Sequence, residues 1–297
     1  MLGVINLDKP VGPTSHDMVG LLRRLTATRR IGHAGTLDPL ASGVLPILVG
    51  AATRFSEELT GGRKRYEAVV RLGQRSATDD AQGPITAVPA PLPSDAAIVE
   101  ALAGFVGTHD QRPPAFSARK QGGRTAHRAA RAGEPLELAS RPVTVDALDL
   151  LDLTRAEGIV DVRIDLRCGP GTYVRSIARD LGDRLGCGGH LHALRRTEAA
   201  GLGIETAVTP AELEAAAERG ELAIALIPIG DLLPLPALSV GSDAAWRFVH
   251  GSAQAAPAGA ASGRVKVYDA DGQLLGIGLA SDGELRPAKV LAPDPAA

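Results

Sequence analysis

Polar and apolar residues alternate most regularly in the middle of the chain. In Arg65–Leu72, Tyr66 and every second residue after it are apolar, while the residues between them are mostly charged. Ile159–Cys168 shows the same alternation of aliphatic with Asp and Arg residues. A period of two is typical of a half-buried strand. We therefore predict strands in both segments, with Tyr66 on the buried face. The second strand pairs with Val143–Leu153 through a turn at Glu157-Gly158.

Other segments repeat apolar residues at helical spacing. One predicted helix follows Thr14 or Ser15, either of which can act as its N-cap, and carries apolar residues through Leu25. Another follows Gly169–Thr172, and a third opens with a capping box at Thr209–Glu212. The mixture predicts an α+β fold: a mixed, mostly antiparallel sheet with flanking helices.

The composition and the predicted elements change in the C-terminal part of the chain. Leu226–Leu238 is rich in proline and apolar residues and is predicted to be a linker. Beyond it, Arg264–Tyr268 and Leu274–Leu279 are predicted to form a hairpin about Asp271-Gly272. We therefore predict one domain over residues 1–230 and a small β-barrel-like domain over residues 236–297.

Charge is unevenly distributed in the 297 residues. The formal net charge is −2, but the part from Glu205 onward holds twelve acidic and six basic residues, so the preceding part is net positive. Basic clusters on one domain indicate a polyanionic partner, although a solvated surface explains each cluster as well. The clusters are Arg23, Arg24, Arg29 and Arg30; Arg63, Lys64 and Arg65; and Arg112, Arg119, Lys120, Arg124, Arg128 and Arg131.

Cysteine content, the first residues and hydropathy together indicate the cellular compartment. The chain has two cysteines, Cys168 and Cys187, in unlike contexts, so we expect no disulfide framework. The segment Met1–Lys9 is too short and too soon charged for a secretory signal, and no apolar run has the length of a membrane span. We expect a cytoplasmic protein without membrane contact.

The candidate for chemistry is Asp38, within Gly32–Leu45. Glycines and a proline hold this carboxylate on a loop. It can act as a nucleophile or general base. On the spacing alone, however, an Asx-turn or a cap for a helix starting near Leu40 is the favoured explanation. Arg175, predicted in the first turn of a helix, is a candidate cation to keep Asp38 ionised. Tyr66 can stack on a base or simply pack in the core.

Cofactor motifs are missing from the sequence. His190 and His192 alternate on one predicted strand, but no third ligand is spaced to join them in a metal site. Gly201-Leu202-Gly203 lacks the third glycine of a dinucleotide-binding loop. A phosphate-binding glycine loop and a Gly-x-Ser-x-Gly elbow are also missing. We therefore expect no metal and no cofactor.

Several segments together resemble the bacterial tRNA pseudouridine synthase B (TruB) family in order and spacing. They are Gly3–Pro10 with Gly12–Ser15, Gly32–Leu45, Arg65-Tyr66, Leu72-Gly73 and Gly171–Leu181. The resemblance extends to about Leu226, and the part after Leu235 is similar, more weakly, to the small PUA-type RNA-binding domain of that family. It implies an isomerase that converts uridine 55 in the T-loop of tRNA to pseudouridine, without a cofactor.

The resemblance also implies roles for individual residues. Asp38 matches the catalytic aspartate, Tyr66 the tyrosine that stacks on the target base, and Arg175 the arginine that pairs with the aspartate. The substrate-binding positions it implies are His33, which fills the space left by the flipped nucleotide, Tyr173 and Leu194 at the nucleotide, and Lys9 and Asp80 in supporting roles. The implied partner is the T-arm stem-loop of tRNA, bound by a monomer without an obligate protein partner.

Three positions depart from the family pattern: Ala77, Phe116 and His127 stand where other residues are usual. These departures affect the expected local contacts with RNA and leave the expected reaction class unchanged. Two other functions stay open on the residues themselves. A non-catalytic RNA-binding or RNA-chaperone protein would not need Asp38. A glycosidic hydrolase would need a second carboxylate, for which Asp79 and Asp80 are the nearest candidates.

Overall fold

The computed structural model describes residues 1–117, 119–121, 123–134 and 136–291. The side chains of Lys120 and Arg131, two members of the predicted basic clusters, lie outside the described part, as does the end of the predicted small domain at 292–297.

Strands and helices alternate irregularly through the first two thirds of the chain. The strands are β1 (Gly3–Lys9), β2 (Ile31–His33), β3 (Ala41–Val49), β4 (Lys64–Leu72), β5 (Gln74–Ser76), β6 (Ile85–Ala87), β7 (Gly107–Gln111), β8 (Lys120–Gln121), β9 (Arg124–Thr125), β10 (Arg141–Ala156), β11 (Ile159–Cys168), β12 (Gly189–Ala199) and β13 (Leu202–Gly203). The helices are α1 (Ser15–Thr26), α2 (Ser56–Thr60), α3 (Asp95–Ala103), α4 (Ala126–Arg131), α5 (Val174–Arg184) and α6 (Pro210–Glu218).

The large sheet has the strand order β1-β3-β12-β4-β11-β10-β7, with β2 beside β3 and β13 beside β12. Its neighbours are antiparallel except β12 and β3, which run parallel. The central strands β12 and β4 thus bring together segments that are far apart in sequence. The predicted α+β class and the mostly antiparallel sheet are confirmed.

Local sequence signals explain where the helices begin. The Thr14 side chain accepts a hydrogen bond from the Asp17 amide, and the Asp17 carboxylate accepts one from the Thr14 amide, so a capping box opens α1. Thr209 and Glu212 do the same for α6. In β4 the inward residues from Tyr66 to Leu72 are buried in strict alternation, as predicted.

A second sheet forms the C-terminal part of the described chain. It consists of β14 (Ala237–Ser239), β15 (Gln254–Ala255), β16 (Gly263–Tyr268), β17 (Leu274–Ser281) and β18 (Glu284–Val290), with α7 (Ser242–Val249). Phe248 of α7 is fully buried in a core of its own. The β-rich C-terminal part and its hairpin are confirmed.

The two sheets are not separated by a free linker. Ile229 and Leu233 are buried in an apolar cluster that also contains Leu48 and Phe55 of the large domain and Ile277 of the small sheet. The predicted linker Leu226–Leu238 therefore packs between the two sheets, with part of its apolar residues buried, and the domain boundary stays a prediction.

Candidate active site

The loop that carries Asp38 connects β2 to β3. Strand β3 starts at Ala41, so the alternative of a helix near Leu40 is wrong. The Ser15 hydroxyl donates to the Leu37 carbonyl at 3.0 Å and accepts from the Leu37 amide at 2.8 Å. Ser15 is buried, so this pair of bonds fixes the backbone next to Asp38 from the start of α1. Sequence reasoning gave Ser15 only as a possible cap and missed this contact.

Arg175 meets Asp38 from the first turn of α5. Arg175 Nε lies 2.9 Å from Asp38 Oδ2, and its two terminal nitrogens donate to the carbonyls of Thr78 (3.3 Å) and Phe116 (3.0 Å). The Arg175 side chain is 7% exposed, whereas that of Asp38 is 40% exposed. The guanidinium is therefore held inside the protein, and the carboxylate faces open space.

Burial dominates the protonation of Asp38. Desolvation raises the pKa of the carboxyl above its ordinary value, while the Arg175 guanidinium lowers it and the charge of Asp80 raises it. The expected cation is present, but its effect on the pKa is smaller than that of burial.

Asp80 and Asp79 stand in different surroundings. Asp80 Oδ1 accepts hydrogen bonds from the Thr78 hydroxyl (2.6 Å) and the Gln82 amide (3.0 Å), and its Oδ2 lies 3.9 Å from Arg175 Nε. Asp79 pairs with Arg179 at 3.0 Å. Asp80 thus lies beside the guanidinium that pairs with Asp38, and Asp79 is engaged in a separate ion pair.

A cavity of about 890 Å³ opens in front of Asp38. Of the eight predicted site residues, seven line it: Asp38, Tyr66, Arg175, His33, Tyr173, Leu194 and Asp80. Phe116 and His127, which depart from the family pattern, line it as well. The structure therefore brings together residues from both ends of the large domain, although their roles stay predictions.

Lys9 is the exception. It is fully buried, and its ammonium donates to the carbonyls of Pro10 (2.8 Å) and Pro13 (2.7 Å) rather than lining the cavity. Burial lowers the pKa of Lys9, and the charge of Asp38 opposes this shift. Lys9 thus holds the turn before α1, which contains Ser15 at its start.

Tyr66 and His33 present uncharged rings to the cavity. Burial raises the pKa of the Tyr66 hydroxyl and lowers the pKa of the His33 imidazole. Both rings are therefore neutral near pH 7, and neutral ring faces suit stacking against a nucleobase.

Tyr173 is held by the side chains of two residues that lie opposite each other in β7 and β10. Gln111 accepts a hydrogen bond from the Tyr173 amide at 2.8 Å and donates to its carbonyl at 3.2 Å. Arg141, the partner of Gln111 in the β7–β10 register, lies with Cζ 5.5 Å from the Tyr173 ring centroid. Sequence reasoning missed Gln111, since nothing in the sequence shows that β7 lies beside Tyr173.

Arg196 is another buried residue that the sequence did not single out. Its Nε donates to the Val44 carbonyl at 2.7 Å and its Nη2 to the Gly35 carbonyl at 2.9 Å, on either side of Asp38 in the chain. Its backbone pairs with Gly43 on one side and Tyr66 on the other. Arg196 thus connects both ends of the Asp38 loop to the strand that carries Tyr66. The one available signal was a pair of adjacent arginines, Arg195-Arg196, in the predicted strand that also carries His190 and His192.

In the described ranges, no group of His, Cys, Asp and Glu is arranged to hold a metal ion. His190 is fully buried, and its ring lies 6.4 Å from that of His192, centroid to centroid. The helices in the described part of the chain are all too short or too polar to cross a membrane.

Comparison with known proteins decides the family. Residues 23–174 match the N-terminal domain of TruB family pseudouridylate synthases, residues 175–233 a tRNA pseudouridylate synthase B C-terminal domain, and residues 236–291 the pseudouridine synthase II TruB C-terminal family. The chain belongs to the TruB family of pseudouridylate synthases. The resemblance found in the sequence is confirmed, and with it the enzyme class, an isomerase.

Relatives in the TruB family match along nearly the whole chain. A tRNA pseudouridine synthase B from Burkholderia mallei (strain NCTC 10247) is 43% identical over 97% of this chain and 96% of its own length. A tRNA pseudouridine synthase B from Ralstonia pickettii (strain 12J) is 42% identical over 97% of this chain and 94% of its own length.

Solved structures agree with the TruB assignment. A chain in a Cbf5-Nop10-Gar1 complex superposes with a TM-score of 0.74 at 28% identity, covering 98% of this chain and 85% of that one. A chain of an H/ACA RNP bound to a substrate RNA containing 2'-deoxyuridine superposes with a TM-score of 0.73 at 26% identity. The match covers 98% of this chain and 85% of that one.

Proposed function

We propose that this protein converts uridine 55 in the T-loop of tRNA to pseudouridine, with Asp38 as the essential aspartate and with the target nucleotide flipped into the cavity. The observation that carries the proposal is the ion pair between half-exposed Asp38 and buried Arg175 at the wall of a cavity that Tyr66 also lines. The relatives named tRNA pseudouridine synthase B support tRNA as the substrate.

The reaction breaks the N1–C1′ bond of the nucleoside and forms a C5–C1′ bond, with no hydrolysis and no net redox change. The C5 hydrogen leaves as a proton and N1, released from C1′, takes up a proton, so that the product is an isomer of uridine. Asp38 attacks C1′ or C6, or abstracts a ribose proton. Each path needs an ionised carboxylate in a site from which water is largely excluded, and Arg175 stabilises that form.

Nucleotide flipping follows from where the target atoms lie. A base inside a folded loop is unreachable until it leaves the stack, and the energy of unstacking is recovered when other rings replace its neighbours. We assign Tyr66 to stacking on the flipped base and His33 to the space left in the loop. Tyr173 and Leu194 contact the nucleotide, Asp80 orients Arg175, and Lys9 supports the Asp38 side of the site from behind.

The proposal also assigns a separate role to each domain. Residues 1–230 form the catalytic domain, and the PUA-like part from residue 236 adds RNA contacts outside the active site. The enzyme works as a cytoplasmic monomer on the T-arm stem-loop without an obligate protein partner or a cofactor.

The test is tritium release from tRNA labelled at uridine C5. Wild type releases tritium and leaves the RNA chain intact, whereas Asp38→Asn loses at least about 100-fold in rate, the scale of a positioned base or nucleophile, and still binds tRNA. Asp149→Asn, on an exposed part of β10 outside the cavity, keeps the wild-type rate.

Each alternative function predicts a different result. A glycosidic hydrolase leaves an abasic site at the target uridine. A protein that only binds RNA releases no tritium. Full activity of Asp38→Asn would refute the assignment of Asp38.

A further inference from the structure

Two cationic side chains meet at the cavity wall beside the Asp38 loop. An ideal Cβ placed on Gly35 would lie 3.3 Å from Arg196 Nη1 and 3.6 Å from Lys64 Cε, so both side chains converge on this glycine. All three residues line the cavity. Within the described residues, no carboxylate lies within ion-pair distance of Lys64 or Arg196.

The hydrogen bonds of these two cations position them without neutralising them. The Lys64 ammonium donates to the carbonyls of Thr60 (2.8 Å) and Gly62 (2.6 Å). The Arg196 guanidinium donates to the carbonyls of Val44 and Gly35. Carbonyl groups are dipoles, so both full positive charges remain. A buried charge without a counter-charge is unfavourable, and this is relieved when an anion arrives.

The other titratable groups facing Lys64 do not supply negative charge. Burial raises the pKa of the Cys168 thiol to about 11, and burial keeps His33 and Tyr66 neutral. Burial together with the neighbouring Arg196 lowers the pKa of Lys64 itself to about 8. The free site therefore holds two cations that repel each other.

Gly35 leaves this spot accessible. Its φ of +83° is a conformation that residues with a side chain rarely adopt. A side chain at this position would lie against both cations. Without one, a ligand can reach the two charged groups from the cavity.

We propose that Lys64 and Arg196, with Gly35 between them, form a subsite for one phosphodiester group of the RNA strand that carries the flipped nucleotide. The inference rests on the proposed function and deepens it. Lysine and arginine are the usual phosphate ligands, and a nucleotide that enters the cavity brings a phosphate on each side of the ribose. Exclusion of water strengthens the attraction.

The first experiment measures affinity for a tRNA transcript as a function of salt. Lys64→Met weakens binding about tenfold and reduces the slope of log Kd against log salt by about 0.7 to 0.9, the value for one phosphate contact. Lys64→Arg keeps the slope. Arg219→Met, which removes an exposed ion pair with Glu221 outside the cavity, leaves both quantities unchanged. An unchanged slope for Lys64→Met overturns the subsite.

The second experiment uses pH. Only the protonated ammonium binds phosphate strongly, so wild-type affinity decreases as pH rises through about 8. Lys64→Arg, whose guanidinium stays charged, removes this decrease. The same decrease in Lys64→Arg would show that another group titrates and would refute the assignment. This comparison remains informative even where Lys64→Met fails to fold.

The third experiment identifies the phosphate. Single methylphosphonate groups, which carry no charge, are placed in turn along the T-loop of a stem-loop RNA. At one position the substitution weakens wild-type binding about as much as Lys64→Met does, and the two changes together cost no more than either alone. Additive losses at every position refute a direct contact. Wild-type tritium release separates the two hypotheses, because its absence refutes the proposed function, whereas release with additive losses refutes only the subsite.

Discussion

Arg175 and Asp38 form an ion pair in which the cation is buried and the anion faces the cavity. The 2.9 Å contact uses Arg175 Nε, while the two terminal nitrogens are taken by the carbonyls of Thr78 and Phe116. The guanidinium is thus fixed by backbone from two separate loops. Asp38 is left with its second carboxylate oxygen available to a ligand.

Substitutions of Arg175 distinguish the contribution of its positive charge from that of its several hydrogen-bond donors. Arg175→Lys keeps the charge but cannot reach Asp38 and both carbonyls, so we expect a loss of about 100-fold in tritium release. Arg175→Met also leaves Asp38 unpaired, and we expect it to lower the free energy of unfolding by up to about 3 kcal/mol. Chemical denaturation and initial rates measure both.

The control for Arg175 is Arg163→Met, which breaks an exposed pair with Glu67. We expect it to cost less than about 1 kcal/mol and no activity. Equal effects of Arg175→Met and Arg163→Met would contradict the structural role of the buried guanidinium.

The raised pKa of Asp38 makes stability depend on pH with a definite sign. The protonated carboxyl is the form that burial favours, so its contribution to folding is complete below the ordinary value of 3.8 and is lost as pH rises through the higher folded value. We therefore expect the stability of wild type, relative to Asp38→Asn, to be highest below pH 3.8 and to decrease as pH rises above it. Denaturation midpoints at several pH values measure it, and a difference independent of pH would refute the shift.

Two glycines offer a matched test of packing around the Asp38 loop. An ideal Cβ on Gly43, whose φ is +101°, would lie 2.1 Å from the Arg196 carbonyl oxygen. Gly43→Ala must therefore separate β3 from β12, and we expect severe destabilisation and loss of activity. Gly20, inside α1, has nothing within 4 Å of its ideal Cβ. Gly20→Ala should stabilise the protein by about 0.5–1 kcal/mol. Thermal unfolding of both variants checks the prediction, which fails if Gly43→Ala unfolds like wild type.

Glu58 is expected to hold the small sheet against the large domain. Its side chain is 8% exposed and accepts hydrogen bonds from Arg264 (2.6 Å) and Lys289 (3.1 Å). We expect Glu58→Gln to increase amide exchange in β16–β18 while tritium release from a short stem-loop stays near wild type. Glu57→Gln serves as the control, because that side chain is 85% exposed and bonds to Lys289 alone.

The interface should also weaken in acid. Burial raises the pKa of Glu58, but the hydrogen bonds from Arg264 and Lys289 outweigh it, and the net shift is below the ordinary value of 4.5. The stabilisation is therefore present above 4.5 and lost as pH falls through the lower folded pKa. Exchange in β16–β18 that is independent of pH between about 6 and about 3, after correction for intrinsic rates, would contradict this.

The amino-acid sequence by itself determined the local elements of this protein. An N-cap at Thr14 or Ser15 and a capping box at Thr209 placed two helices, and alternation placed β4 and β11 with Tyr66 facing inward. These signals involve residues a few positions apart, whose interactions exist in any fold. Family resemblance then named Asp38, Tyr66 and Arg175 as a set, but gave no geometry.

Only the tertiary structure decided which distant residues meet. It placed Arg196 between Gly43 and Tyr66, left Lys9 outside the cavity lining, and packed Ile229 and Leu233 of the predicted linker between two sheets. It also determined that burial outweighs Arg175 in setting the pKa of Asp38. Strand order and desolvation depend on contacts between segments far apart in the chain, and no local spacing of residue types encodes them.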